Sequence, residues 1–138
     1  MARAARGIGG GVLFLDSEGL SKFVSDDIRV TRIIERSRQR GLTITTSPLT
    51  FIEISHPGID RRRLSWIRSA LDVVPVSQEI GRSAEALLAA TGLHGHKYAI
   101  DAVVAATALS RPGPRVILTS DVDDMTQLLG KDAEIVFV

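Results

Sequence analysis

The sequence predicts an α/β fold: a three-layer sandwich in which a five-stranded parallel sheet is covered by helices on both faces. Short apolar runs alternate along the chain with longer stretches of helical spacing, which calls for strand–helix–strand units. The runs are nearly continuous instead of period two, so the strands are buried on both faces, as in a parallel sheet. A third observation concerns where the strands stop: two of them close on an aspartate, where fold physics alone favours a neutral residue.

Residues 1–11 read as a flexible, glycine-rich lead-in and residues 12–138 as one domain. Val12 to Leu15 is the first strand, closed by Asp16, and Leu20 to Val24 is a short helical turn. Ser25 is placed to cap a helix through Arg40, with Asp26 and Asp27 in its first turn, Ile28, Ile33 and Ile34 on its buried side, and Gly41 at its stop. Leu42 to Thr46 is a second strand. Ser47 as N-cap and Pro48 at the first helical position then open a helix that Pro57-Gly58 must end, which puts Glu53 in its second turn on one face with Leu49 and His56. Asp60 caps an arginine-rich helix to Leu71 carrying Trp66 and Ile67. A strand Val73 to Val76 follows, then a helix Ser77 to Thr91 with Ile80, Ala84, Leu87 and Leu88 at helical spacing. Beyond a Gly92 to Gly95 loop, an alanine-rich helix from Tyr98 to Leu109 stops before Pro112 and Pro114. The chain closes with a strand Val116 to Thr119, a helix Asp121 to Leu129 and a strand Glu134 to Val138.

At 138 residues with 44% hydrophobic content the chain can bury one core unaided. It has no cysteine, which excludes disulfides, thiolate metal sites and cysteine nucleophiles and leaves oxygen or histidine ligands for any metal. The basic start is followed by an apolar run too short for an export signal, so a cytoplasmic protein with no membrane span is expected. Net charge is only +1, yet arginines at 29, 32, 36, 38 and 40 share one helix, and those at 61, 62, 63 and 68 fall along the next region. Such basic faces outside an acidic site suit a phosphate-bearing polymer, and they suit solvated helix faces equally.

Right-handed crossovers place all strand C-termini on one edge, where open α/β sheets bind ligands. If the first and fourth strands are neighbours, Asp16 and Asp121 meet there, and the early turns of the helices bearing Glu53 and Asp101 reach the same crevice. Each acid has an ordinary alternative: Asp121 and Asp16 can cap helices, and Glu53 can extend to solvent on its long stem. Asp101, apolar on both sides, is the hardest to place on a surface. Converging carboxylates without cysteine are a donor set for Mg2+ or Mn2+, and so for phosphoryl chemistry. Ser17 and Ser120 can cap helices or bond the carboxylates. His94 and His96 flank Gly95 without a third ligand nearby, and His56 stands alone. Trp66 and Phe51 read as core rather than as base-stacking platforms.

These residues, in this order, resemble the PIN-domain ribonucleases, specifically the VapC-type toxins of toxin–antitoxin pairs. The resemblance rests on Leu13-Phe14-Leu15-Asp16-Ser17, on Thr46-Ser47-Pro48-Leu49 leading to Glu53, on Ile100-Asp101-Ala102 followed by Ala105-Ala106-Thr107-Ala108, and on Leu118-Thr119-Ser120-Asp121 with Asp124 three residues on. It implies a Mg2+-dependent endoribonuclease, a cognate antitoxin and a homodimer. Asp16 and Asp101 match the core metal ligands, Glu53 and Asp121 complete an acidic catalytic quartet, Asp124 is an accessory acid, and Ser17 and Thr119 are supporting hydroxyl residues. The long glycine-rich extension and the early Pro57-Gly58 break depart from the pattern. Two rival readings are a catalytically silent PIN-like binding module and an Asp-based phosphotransfer domain; the latter lacks a second aspartate two residues after Asp16.

Overall fold

The computed structural model describes residues 10–138, so most of the expected lead-in lies outside the described residues. The elements run β1 (Val12–Leu15), α1 (Ser17–Val24), α2 (Ile28–Gln39), β2 (Thr43–Thr46), α3 (Pro48–Glu53), α4 (Arg61–Ala70), β3 (Asp72–Val73), α5 (Gln78–Thr91), α6 (Gly95–Leu109), β4 (Arg115–Thr119), α7 (Val122–Leu129), a 3-10 turn and β5 (Glu134–Phe137). Strand order is β3-β2-β1-β4-β5 with every pair parallel, the expected fold class. The order reverses between β1 and β4, which opens a crevice at their C-terminal ends.

Alternation along each strand divides the core between the two faces of the sheet. Leu13, Leu15 and Leu118 pack with Leu20, Phe23, Ile34 and Ile67 of α1, α2 and α4. Phe14 and Ile117 pack with Ile80, Val104 and Met125 of α5, α6 and α7. Gly19 lets α1 lie directly on β4: a Cβ there would stand 3.1 Å from the Leu118 carbonyl oxygen.

Several boundaries differ from expectation. Ser25 closes α1 instead of opening α2, and the cap of α2 is Asp27, whose carboxylate accepts from Val30 N at 3.0 Å. Ser25-Asp26-Asp27 offers three capping residues in a row, and the left-handed turn at Asp26 (φ 61°) selects the last; Ile28 is consequently exposed. α1 begins at Ser17, not Leu20, because Asp16 caps it. α3 ends at Glu53 well before Pro57, so Glu53 is its last residue and His56 lies beyond it. β3 spans only Asp72–Val73: β2 turns away at Ser47-Pro48, and Pro75 has no amide to extend a ladder. α6 starts at Gly95 and carries a non-helical residue at Tyr98, three residues into it.

Trp66 is also a correction, since it is exposed rather than core. Its ring tilts against Phe23, and the Arg63 guanidinium lies 5.6 Å from both ring centres. Arg63 further donates to the carbonyls of Phe23 and Val24 at the end of α1, so this arginine is structural. Phe51 is core as expected, with the Arg68 guanidinium 4.2 Å above its ring.

Candidate metal centre

Asp16 prolongs the β1 ladder by donating its amide to Leu118 O at 3.0 Å. It is the one deeply buried acid of the four, 4% exposed. One carboxylate oxygen accepts from Ser17 N at 2.9 Å, and the other from Thr119 Oγ1 at 2.7 Å. The Thr119 hydroxyl in turn accepts from Asp121 N at 2.9 Å, so one side chain joins the ends of β1, β4 and α7. Asp121 occupies the N-cap position of α7, but its carboxylate makes no capping hydrogen bond and stays exposed. Asp101, one turn past the kink in α6, is half-buried and brings its carboxylate to the same place.

Asp16, Asp101 and Asp121 each offer an oxygen, and the three oxygens lie within 4.8 Å of one another. Glu53 is outside this set, at the exposed rim of the crevice. The partial desolvation it feels, followed by the charges of Asp16 and Asp121, holds its pKa above the usual range. Burial raises Asp16 as well, opposed by its two hydrogen bonds and reinforced by Asp121. Asp101 is pushed up from 3.8 to about 6, first by desolvation and then by Asp16, Asp121, Asp124 and Glu53. Every charge acting on these three groups is negative, so nothing in the described chain neutralises the crevice. An all-oxygen donor set of this kind fits a hard divalent cation.

Asp124 stands half-buried in the first turn of α7 and acts on Asp101 through its charge alone. Ser17 contributes its amide. Ser120 is exposed, and so are His94 and His96 at the start of α6. His56 is exposed too; its Nδ1 accepts from Gly58 N, and it lines a small cleft with Ser17, Glu18, Ser21 and Glu53 beside the carboxylates.

A second hydroxyl relay escaped the sequence reading. Thr46 Oγ1 lies 2.7 Å from Leu15 O and Thr50 Oγ1 2.6 Å from Ser47 O, and the two hydroxyls also face each other, so their two protons are shared among three contacts. All three residues are fully buried, and together they lock the turn that leads to Glu53 against the end of β1. The run Thr45-Thr46-Ser47, polar where a central strand is apolar, was the available signal.

No protein-family model matches the chain, and no curated protein matches it by sequence. Solved structures do match over nearly its full length. VapBC2 from Rickettsia felis, bound to a DNA fragment from its promoter, aligns with a TM-score of 0.68 at 13% identity, covering 92% of this chain and 98% of that one. The chain shares its fold with that structure. A toxin–antitoxin complex from Klebsiella pneumoniae aligns at 0.63 and 19% identity over 88% of this chain and 94% of that chain. DNA-bound VapBC from Salmonella typhimurium gives 0.60 and 13% over 91% and 97%. At such identities the likeness is one of fold alone. Among the described residues no helix is long and apolar enough to cross a membrane.

Proposed function

We propose that this chain is a Mg2+- or Mn2+-dependent endoribonuclease and the toxin of a type II toxin–antitoxin module. The observation that carries the reading is the meeting of three carboxylate oxygens within 4.8 Å in a crevice where the charges acting on Asp101, among the described residues, are all negative. Asp16, Asp101 and Asp121 would hold the ion, with Glu53 and Asp124 at its margin. When bound, a divalent ion supplies Lewis acidity toward a phosphodiester and an activated water. The chain's own contribution is positioning. Asp16 is fixed through both oxygens, whereas Asp101 and Asp121 carry uncommitted oxygens that can adjust to a cation and a phosphate. Burial on the sheet side keeps the local dielectric low, which strengthens each of these interactions.

An RNA substrate, a cognate antitoxin and a homodimeric, cytoplasmic toxin belong to the same proposal. Its support is the motif order and the fold shared with two structures named as VapBC and one named as a toxin–antitoxin complex. The test is cleavage of single-stranded and structured RNA by purified protein. Cleavage requiring Mg2+ or Mn2+ and lost in a folded Asp101→Asn variant is expected; metal-independent cleavage or an active variant refutes the assignment. Co-purification with the product of an adjacent reading frame, and sedimentation, check the partner and the dimer.

A further inference from the structure

The line of residues that closes the sheet does not stop at the carboxylates. Leu15 pairs with Leu118, so Asp16 stands beside Thr119, and Thr119 is in register with Phe137. All three project from the same face, because Phe14, Ile117 and Ile135, each two residues earlier on its strand, pack under α5, α6 and α7. Asp16, Thr119 and Phe137 therefore form one row, and two strand spacings put Phe137 Cα about 10 Å from Asp16 Cα.

Phe137 is 62% exposed at the end of the edge strand. A lone exposed apolar side chain is ordinary on a protein surface. The backbone that carries this one is held at two points. Its carbonyl accepts from Arg29 Nη1 at 2.8 Å, and the next amide, that of buried Val138, donates to Thr119 O at 3.1 Å. The ring is thus presented to solvent on a backbone pinned from two sides, level with the acids, while Arg29 brings a positive charge to the same end of β5. Exposed aromatic rings together with nearby positive charge along the backbone path are what single-stranded nucleic acids stack on and track.

We infer that Phe137 is a substrate-binding residue, a platform on which a nucleobase close to the scissile phosphate stacks, with Arg29 facing the strand's phosphates. This rests on the nuclease reading above. Stacking of this kind tolerates any base, so it places the RNA strand along the Asp16–Thr119–Phe137 row without reading sequence.

The test uses the full chain carrying Asp101→Asn, so that RNA remains uncut, and oligoribonucleotides with 2-aminopurine at successive positions. Quenching at one position is expected. Phe137→Ala should abolish it and weaken RNA binding by about fivefold or more, and Phe137→Trp should restore both. In the cleaving protein, Phe137→Ala should raise KM with little change in kcat. Unchanged quenching and affinity in Phe137→Ala, alongside a parent that cleaves RNA, overturns the inference while leaving the nuclease reading intact. Loss of self-association in Phe137→Ala, measured by sedimentation, overturns it by assigning the ring to an interface between copies. A parent that neither binds nor cuts RNA with Mg2+ removes the nuclease reading and this inference together.

Discussion

Replacing Asp101 by asparagine should stabilise the metal-free protein while disabling the site. In the folded chain Asp101 ionises near 6 instead of 3.8, because burial and four other carboxylates oppose its charge. The folded state therefore binds more protons than the unfolded state between those two values. Stability falls as pH rises through that window, and the cost is complete above it. A displacement from 3.8 to about 6 corresponds to at most ~3 kcal/mol, which partial solvent exposure brings to about 1–2 kcal/mol. In a domain of this size that is a melting-temperature difference of about 3–8 °C. Thermal unfolding in EDTA at pH 7.5 should show Asp101→Asn melting above the parent, and the gap should shrink steadily as pH is lowered through 5 toward 4. Saturating Mg2+ should then reverse the order, raising the parent more than the variant, and Asp16→Asn should blunt the same metal effect. An Asp101→Asn variant no more stable than the parent in EDTA at pH 7.5 would refute the electrostatic reasoning.

Thr119→Val keeps the shape of the side chain but removes the hydroxyl between Asp16 and the Asp121 amide; urea unfolding should show a loss of about 1–3 kcal/mol, and metal affinity by titration calorimetry should fall roughly tenfold. Thr119→Ser should recover most of both. Two helical glycines should respond oppositely to alanine, as chemical denaturation will report. Gly81 has nothing within 4 Å of its missing Cβ, so Gly81→Ala should stabilise by about 0.5–1 kcal/mol. Gly19→Ala meets the backbone of Leu118 and should destabilise despite its better helix propensity.

The legible parts of this fold were those written by a single strong signal. Val12 to Leu15 and Val116 to Leu118 are apolar throughout, so the two strands and their parallel sense could be read directly, whereas the meeting of Asp16 with Asp121 hung on the two being neighbours, which the strand order supplies. Asp101 could be placed because a carboxylate amid alanine and valine loses hydration that only a polar crevice or a cation can offset. Illegible were the points where several residues compete for one role, as at Ser25-Asp26-Asp27, or where tertiary contact ends an element early. α3 stops at Glu53 although no helix breaker precedes Pro57, which moved Glu53 to the rim and detached His56 from its face. Phe137 went unnoticed because exposure is a property of the sheet edge, and a strand read in isolation does not say whether it is an edge.

Because Asp16, Thr119 and Phe137 occupy one row, the site is indexed to strand register, and this bears on how chain length can drift. Adding a residue to the loop before β4 lengthens a turn at the far end of the sheet and leaves the row aligned. Adding one between Arg115 and Thr119 sends every later side chain of that strand through the sheet. Thr119 would then face α1 and α2 while Asp16 stayed in place, and a chain that still folded would have lost its candidate metal centre without changing a single acid. Length variation in this fold should therefore collect at the N-terminal edge of the sheet, with the segment from Arg115 to Asp121 held at constant length.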